Sequence, residues 1–331
     1  MSENATLDVV GIGNAIVDIV ATADDKLLEE QGIIKGAMNL IDQDRADALY
    51  DIMGPAIERS GGSAGNTMAG IASLGGKGGY FGKVRDDQFG QIFRHDIRAG
   101  GVEFNTAPAT EGPSTARCLI FVTPDAQRSM NTYLGACVNL TVEDIDEEMI
   151  RSAKVTYMEG YLWDPEEAKK AFIHASKTAQ TAGRQVSLTL SDSFCVGRHR
   201  ESFLDLVKNY VDILFANEEE AMALFEVDSF DEALQQVRAC CSIAAITRSE
   251  KGSVVCSGDE VHVVDAVPVD QVVDTTGAGD LYAAGFLYGY TNGYSLYDSG
   301  RIGSIAAAEV ISHFGARPET SLAELVEEKL K

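Results

Sequence analysis

The sequence predicts an α/β fold, with a doubly wound, mostly parallel sheet covered by helices on both faces and a small strand-rich lid. From residue 155 onward, short apolar runs alternate with longer helix-forming segments, and such alternation implies right-handed crossovers and a parallel sheet. The segments 14–41 and 103–136 interrupt this alternation with hairpin-like strands. Residues 1–331 are therefore expected to form a single domain, in which those two segments build the lid.

The first half of the chain predicts the start of the core. Leu7 to Ile12 is an apolar run with valines that opens into a Gly-x-Gly turn, as expected for a first buried strand. A small-residue helix over 61–74, a strand over 78–84 and an amphipathic helix over 88–99 follow. Cys118 to Val122, bounded by prolines on both sides, predicts a strand of the lid.

The second half predicts a regular series of strands and helices. The predicted strands are Val155–Met158, Gln185–Leu190, Ile213–Ala216, Ala244–Thr247 and Ser253–Cys256, and the predicted helices are Glu166–Ala182, Glu201–Asn209, Glu218–Leu224 and Phe230–Ala239. In doubly wound sheets, ligands bind at the carboxyl ends of the strands. The loops that follow strands are therefore where the functional motifs are expected.

The charge of the chain argues against two classes of partner. Its 51 acidic and 27 basic residues give a formal net charge of −24, which disfavours binding to nucleic acid or to an anionic membrane surface. The N-terminal residues lack the basic and apolar regions of a signal peptide, and no apolar run approaches membrane-spanning length. The six cysteines show no C-x-x-C spacing, so reduced thiols and a cytoplasmic location are expected.

The segment D-T-T-G-A-G-D at residues 274–280 is the motif that most directly indicates chemistry. The amides of Gly277, Ala278 and Gly279 can turn inward as an anion-binding nest at a helix N-terminus, where the helix dipole favours phosphate charge. Asp280 in the first helical turn is placed to take a proton from a hydroxyl that attacks a phosphoryl group. A plain Asp at a helix start after a glycine turn is the structural alternative.

This segment resembles the second signature, D-T-x-G-A-G-D, of the ribokinase-like (PfkB) carbohydrate kinases. GGSAGNT at residues 61–67, continuing to GKVRDDQFG at residues 82–90, is similar to the N-terminal signature of that family. Gly11-x-Gly13-Asn14, with Asp18 after it, extends the match over nearly the whole chain. The resemblance implies a kinase that uses ATP and Mg²⁺ to phosphorylate a hydroxyl of a small sugar-containing molecule.

The resemblance also implies roles for individual residues. Asp280 is expected to be the catalytic base, with the amides of residues 277–279 as an anion hole. The substrate-binding residues implied are Asn14, Asp18, Gly62, Ser63, Asn66 and Leu134. Asp and Asn suit sugar hydroxyls, because a carboxylate accepts hydrogen bonds and an amide both donates and accepts them.

Two further segments resemble elements that bind ATP and its metal ion. Asn217-x-x-Glu220 is similar to the N-x-x-E element of the family, in which both residues help to organise Mg²⁺, often through water. Without the resemblance, an acidic helix start compensates the helix dipole. Residues 247–252 resemble the nucleotide loop T-x-G-x-x-G, with Ser249 at the middle glycine position, and imply ATP contacts by Thr247 and Gly252. Asn217, Gly277 and Gly279 complete the implied ATP site. A monovalent cation also occurs in the family, and the sequence assigns no residues to it.

Within the family, adenosine kinases and their bacterial relatives are the most similar subgroup. Residues 125–136 resemble their arginine-containing lid segment, so Arg128 is expected to close toward the transferring phosphoryl group. Apolar residues such as Ile16, Leu40 and Leu134 are candidates for a nucleobase slot. Thr276 favours a sugar kinase instead, because adenosine kinases commonly have Asn there. Adenosine is the expected acceptor, and ribose or fructose are the alternatives.

Other functions fit less well. Ile16 stands where a dinucleotide-binding G-x-G-x-x-G motif needs its third glycine, and Lys83 is followed by Val84 rather than by the Ser or Thr of a P-loop. A non-catalytic nucleoside or sugar sensor on the same fold stays open. The expected partners are a nucleoside or sugar and ATP, without nucleic acid or membrane, for a monomer or a homodimer.

Overall fold

The computed structural model describes residues 5–330. Its strands, in chain order, are β1 (Leu7–Ile12), β2 (Ile16–Thr22), β3 (Met38–Leu40), β4 (Ile57–Gly61), β5 (Gly78–Phe81), β6 (Ala116–Val122), β7 (Arg128–Tyr133), β8 (Ala153–Glu159), β9 (Gln185–Thr189), β10 (Ile213–Asn217), β11 (Ile243–Thr247), β12 (Ser253–Ser257) and β13 (Glu260–Val264). Its α-helices are α1 (Asp25–Glu30), α2 (Gln43–Ile52), α3 (Ser63–Ser73), α4 (Gln88–Ala99), α5 (Glu147–Ser152), α6 (Glu166–Thr181), α7 (Ser193–Tyr210), α8 (Glu218–Phe225), α9 (Phe230–Cys240), α10 (Ala278–Thr291), α11 (Leu296–Val310) and α12 (Leu322–Lys329). Over this range, no helix combines the length and the apolar character needed to cross a lipid bilayer.

The main sheet has the strand order β13-β12-β11-β10-β9-β8-β1-β5. The strands from β5 to β11 in this order are parallel neighbours, whereas β12 and β13 add an antiparallel edge. All residues of β1 are buried between two parallel partners, which explains why its sequence is a continuous apolar run rather than an alternating one. The predicted doubly wound, mostly parallel sheet is confirmed.

Helices cover both faces of this sheet. One apolar core contains Phe172 of α6 and Phe203 of α7, and a second contains Met68 of α3 and Phe286 of α10. Neighbouring residues of β1 join different cores, since Val10 belongs to the first and Val9 to the second. Because successive side chains of a strand point to opposite faces, the two cores lie on opposite sides of the sheet. Helix α7 begins at Ser193 and is kinked at His199, where the backbone is not helical, so its second part begins close to the predicted start at Glu201.

A second, smaller sheet has the strand order β3-β7-β6-β2-β4 and is called the lid sheet below. Four of its strands fall within the predicted lid segments 14–41 and 103–136, but β4 lies outside both, so the predicted lid boundaries were too narrow. Strand β4 contains Glu58 and Arg59 and, among the strands of residues 5–330, pairs with β2 alone. Charged side chains are common on edge strands. Because of Glu58 and Arg59, β4 lacks the apolar pattern from which a strand could have been predicted.

Candidate active site

A cleft of about 620 Å³ lies between the lid sheet and the main sheet. It contains the carboxyl ends of β8, β10 and β11 and the N-terminus of α10, where ligands of doubly wound sheets bind. The predicted site residues that line it are Asn14, Asp18, Gly62, Ser63, Asn66, Leu134, Asn217, Glu220, Thr247, Gly277, Ala278, Gly279 and Asp280. Residues more than 200 positions apart in the sequence are thus brought together.

Asp280 lies in the first turn of α10 and is held by two residues of α3. The hydroxyl of Ser63 donates to one carboxylate oxygen at 2.6 Å, and Nδ2 of Asn66 donates to the other at 3.0 Å. Burial raises the pKa of Asp280 above its ordinary value, while these two hydrogen bonds and the positive charge of Arg317 act to lower it. The carboxylate is therefore fixed in place at the meeting point of two helix N-termini.

The glycine loop before Asp280 turns sharply into the first turn of α10. Gly277 caps α10 with a φ of 82°, in the left-handed region. A side chain at Gly279 would meet no other atom of the described chain within 4 Å, so its backbone faces open space in the cleft. The amide of Ala278 donates to the Thr275 carbonyl oxygen at 3.2 Å. In this conformation, that amide is directed into the loop rather than toward a ligand.

Asp274 holds the same loop in shape. It accepts hydrogen bonds from the amide and hydroxyl of Thr276, at 3.0 and 2.7 Å, and from the amide of Gly315 at 2.9 Å. Burial acts to raise the pKa of Asp274, but these hydrogen bonds and the nearby charge of Arg128 outweigh it and lower the pKa. Asp274 therefore stays ionised beside the glycine loop.

Arg128, predicted to close on the phosphoryl group, lies at the start of β7 and forms an ion pair with Asp274. Both side chains are largely buried. Arg128 is not among the described residues that line the cleft, and its Nε has no hydrogen-bond partner in residues 5–330. In this conformation the Arg128 guanidinium pairs with Asp274 and so helps to hold the glycine loop. Contact between Arg128 and a phosphoryl group stays a prediction, and it requires the guanidinium to move away from Asp274.

Asn14 is positioned by Glu159, a residue that the sequence analysis missed. Nδ2 of Asn14 donates to Glu159 at 2.8 Å, and the amide of Ala64 donates to the second carboxylate oxygen at the same distance. Glu159 ends β8 and is almost fully buried. Burial raises its pKa to about 7, against the hydrogen bonds from Ala64 and Asn14. An acidic residue closing an apolar strand, in Met158-Glu159-Gly160, was the available signal.

Replacing Glu159 with Gln should flatten the pH dependence of stability. The folded protein holds the Glu159 proton up to a pH of about 7, whereas an unfolded chain releases it near 4.5, so wild-type stability falls as pH rises through that interval. The variant cannot titrate there, and its loss of stability from about pH 5 to about pH 8 should be smaller by about 2–3 kcal/mol. Urea unfolding at both pH values measures this.

The exposed Glu167, in an ion pair with Lys170, provides the matched control. Glu167→Gln removes an equivalent charge from the surface and should leave the pH dependence close to that of the wild type. Identical pH dependence in the Glu159→Gln variant and the wild type would show that Glu159 is ionised in the folded protein across the whole range.

Asp18 is the second acidic group of the predicted substrate site. It lies on β2 and lines the same cleft as Asp280. Burial raises its pKa to about 6, and the positive charges of Arg128 and Arg317 oppose the rise. Such a carboxylate accepts hydrogen bonds from hydroxyl groups when it is ionised.

Asn217 and Glu220 form a reciprocal cap at the start of α8. The Glu220 amide donates to Asn217 Oδ1 at 2.8 Å, while Asn217 donates from its side chain and its amide to the two Glu220 oxygens, at 2.7 and 3.0 Å. Burial raises the pKa of Glu220 to about 7, and the hydrogen bond from Asn217 opposes this. Among residues 5–330, no group of three or more His, Cys, Asp or Glu residues could hold a metal ion by itself.

Asn217 and Glu220 fit a magnesium ion whose other ligands are waters and nucleotide phosphates. Their side chains offer carboxylate and amide oxygens, the ligand atoms that Mg²⁺ prefers, and Mg²⁺ usually keeps several waters while binding few protein ligands. Since both Glu220 oxygens are already hydrogen-bonded to Asn217, contact through water is the arrangement that preserves the cap.

The predicted nucleotide loop divides into two parts. Thr247 lines the cleft at the end of β11. Gly252 is buried between β11 and β12 with a φ of 81°, and a Cβ there would lie 2.0 Å from the Val264 carbonyl oxygen. The close approach of the Val264 backbone therefore explains why a residue without a side chain is needed at position 252. An ATP contact by Gly252 stays a prediction without support from the described cleft residues.

The lid sheet gives the cleft an apolar wall. Alternate residues of its strands face inward, as the two-residue period of a strand requires. They are Ile16, Met38, Leu40, Ile120 and Met130. Leu134, directly after β7, extends the same wall. Leu40 is 61% exposed and Met38 47% exposed, so this wall leaves apolar surface uncovered at the cleft. Phe194 of α7, 80% exposed, lies at the same cleft.

Comparisons with known proteins assign this chain to a family. The family model described as pfkB family carbohydrate kinase matches residues 55–322. The chain is 58% identical to the adenosine kinase from Sinorhizobium meliloti, with a TM-score of 0.91 and 98% and 99% of the two chains covered. It is 55% identical to a probable sugar kinase from Rhizobium etli, with a TM-score of 0.91 and 98% of each chain covered. The adenosine kinase of Saccharomyces cerevisiae is 27% identical over 332 residues, which cover 94% of this chain and 96% of that relative. The chain therefore belongs to the pfkB family of carbohydrate kinases and is a carbohydrate or nucleoside kinase.

Proposed function

We propose that this kinase transfers the γ-phosphoryl group of ATP to a primary hydroxyl of a nucleoside, with adenosine as the acceptor. The observation that carries the proposal is the position of Asp280. Its carboxylate stands beside a glycine loop at the N-terminus of α10, within a cleft whose opposite wall is apolar. A base, an anion-binding loop and an apolar slot in one cleft are what nucleoside phosphorylation requires.

In the proposed mechanism, Asp280 takes the proton from the attacking hydroxyl. Each of its carboxylate oxygens accepts one hydrogen bond from α3, and a carboxylate oxygen can accept a further one. The helix dipole of α10 and the amides of Gly277 and Gly279 stabilise the negative charge of the transferring group. The Ala278 amide can join them only if it leaves the Thr275 carbonyl oxygen. The ordered position of Asp280 reduces the entropy lost in reaching the reactive geometry.

The sugar hydroxyls are proposed to bind Asn14, Asp18 and Asn66. Oδ1 of Asn66 is buried and has no hydrogen-bond partner within residues 5–330. A buried polar atom without a partner is costly, so a ligand hydroxyl at this position would be favourable. Gly62 and Ser63 lie beside it at the start of α3.

ATP and Mg²⁺ are proposed to occupy the other end of the cleft. Thr247 and the Gly279 backbone would contact the nucleotide, and Asn217 and Glu220 would hold the magnesium ion through its waters. When bound, the ion neutralises charge on the transferring phosphate oxygens.

The choice of adenosine is supported by the apolar wall and by the 58% identity to a protein named adenosine kinase. A sugar kinase acting on ribose or fructose is the second candidate, favoured by Thr276 and by the 55% identity to a probable sugar kinase. Coupled measurement of ATP consumption with a panel of adenosine, other nucleosides, ribose and fructose separates them. Turnover highest with ribose or fructose would reject the adenosine proposal, and ligand binding without turnover would favour a sensor.

Trimming the apolar wall should weaken binding of a nucleoside but not of a sugar. Leu40→Ala removes an exposed side chain that lines the cleft, so KM for adenosine should rise by roughly 5- to 20-fold, the effect of losing one apolar contact. KM for ribose should not change. Steady-state kinetics with both acceptors measures the difference.

Ile57→Ala is the matched control for this change. Ile57 is 59% exposed on β4 of the same sheet but does not line the cleft within the described residues. Its loss should leave both KM values unchanged. Equal effects of the two substitutions on KM for adenosine would mean that the wall does not contact the base.

A further inference from the structure

The loop between α11 and α12 brings Arg317 to the end of β4, where no motif predicted a cation. Arg317 does not itself line the cleft within the described residues, but it interacts electrostatically with two residues that do. Its Nε and Nη2 both donate to the Ser60 carbonyl oxygen, at 3.1 and 2.7 Å, and Nη2 also donates to the Ser60 hydroxyl at 2.9 Å. Ser60, at 1% exposure, donates from its amide and hydroxyl to Asp96 of α4, at 2.8 and 2.5 Å. Three distant parts of the chain therefore meet at the end of β4.

This contact lies directly before the residues that hold Asp280. Ser60 is followed by Gly61 and by Gly62, which caps α3. Ser63 and Asn66, in the first turn of that helix, are the two donors to Asp280. A displacement of Ser60 would move the start of α3 and, with it, both donors. The planar guanidinium restrains this junction more strongly than a single donor could.

Arg317 also places a positive charge near two acidic residues that line the cleft. Its guanidinium lies along α3, with Nη2 3.7 Å from the position that a Cβ of Gly65 would take. It interacts electrostatically with Asp18 and Asp280. Other charged or titratable groups also surround these three residues. Those near Asp18 are Arg128, Cys118 and Arg59, its register partner on β4. Those near Asp280 are Tyr157, Tyr161 and Glu159, and those near Arg317 are Asp96 and Tyr80.

We propose that Arg317 is a positioning residue of the kinase, which holds the junction between β4 and α3 and supplies positive charge beside Asp18 and Asp280. This inference rests on the function proposed above for Asp280. The charge favours the ionised carboxylates and so counteracts the rise in their pKa that burial causes. The Arg317 side chain thus both holds β4, the edge strand of the lid sheet, and lowers the pKa of Asp18 and of Asp280.

Two substitutions separate the two contributions. Arg317→Gln keeps a neutral donor for Ser60 but removes the charge, so the pKa values of Asp18 and Asp280 should rise. The acidic limb of the kcat/KM profile should then move to higher pH by about 0.5–1 unit. Arg317→Lys keeps the charge but loses the paired donors, so the limb should stay in place while KM for the acceptor rises by roughly 3- to 30-fold.

Arg301→Gln provides a control of the same chemistry in the preceding helix. Arg301 makes a single long contact of 3.5 Å with the Asp265 carbonyl oxygen and should leave the profile unchanged. If the acidic limb is the same in Arg317→Gln and wild type, the electrostatic contribution is refuted. If Arg317→Gln does not fold, the Lys variant decides, because unchanged KM or a displaced limb would overturn the proposal.

Asp280→Asn is measured beside these variants to separate this inference from the proposed function. An inactive Asp280→Asn with an unaltered Arg317→Gln profile would refute only the role of Arg317. A fully active Asp280→Asn would refute the proposed function itself. Thermal unfolding of all variants shows whether a change in activity reflects a change in folding.

Discussion

Replacing Asp280 with Asn should lower kcat by about 10²- to 10⁴-fold, the usual cost of losing a general base. Asparagine has nearly the same shape, and its amide can accept from Asn66 while donating to the Ser63 hydroxyl, which is free to rotate. The fold should therefore be retained while the ability to take a proton is lost. Initial rates at saturating ATP and acceptor, together with a thermal unfolding curve, measure both.

Asp164→Asn is the control for this substitution. Asp164 lines the same cleft but is 46% exposed and pairs with Arg198 and His199. An exposed ion pair contributes little, so kcat should change by less than about threefold. If Asp280→Asn retained turnover close to that of Asp164→Asn, Asp280 would not be the base.

Replacing Gly62 with Ala should destabilise the protein strongly and disturb the acceptor site. Gly62 has φ 83° and ψ 141°, a conformation that residues with a side chain rarely adopt. A Cβ at this position would lie 2.0 Å from the Asn14 carbonyl oxygen, so the backbone of Asn14 or the start of α3 must move. The free energy of unfolding should fall by about 3 kcal/mol or more, from strain and displacement together.

Gly75→Ala separates these two causes. Gly75 also has a φ of 83°, but an added Cβ would meet no described atom within 4 Å. Gly75→Ala should therefore lower the free energy of unfolding by about 1 kcal/mol, from backbone strain alone. Urea unfolding of both variants, with KM for the acceptor, measures the difference. Equal losses of stability at the two positions would mean that the contact with Asn14 relaxes without cost.

Much of the core could be predicted from the sequence because the relevant signals are local. The buried run Leu7–Ile12 and the strands from β8 to β11 are short apolar segments between helices, and such a pattern has few compact solutions. The helix start after the glycine loop was also predictable, since it depends on nearby residues. The direction of the Ala278 amide was not, because Gly315 and Arg128, which are distant in sequence, help to hold the loop through Asp274. Strand β4 was missed because an edge strand can carry charged residues such as Glu58 and Arg59, and these interrupt the apolar pattern typical of a strand.

The site was only partly predictable. The family signatures indicated Asn14, Asp18, Asn66 and Asp280, which do line one cleft. Glu159, which fixes Asn14, belongs to no local motif, because a single acidic residue at the end of a strand has many possible roles. Arg128 was expected at the phosphoryl group, but the structure pairs it with Asp274, a preference that depends on how the lid sheet lies over the loop.

The sequence alone determined the fold class and the reaction class, because strand and helix periodicity and the glycine-rich signatures act over a few residues. Only the tertiary structure decided which groups act together. Asn66 and Asp280 are 214 positions apart yet are joined by a hydrogen bond, and Arg317 reaches Ser60 across 257 positions. Such contacts follow from how the chain crosses between two sheets, and burial in the resulting cleft, rather than residue type, sets the pKa values of Asp18 and Glu159.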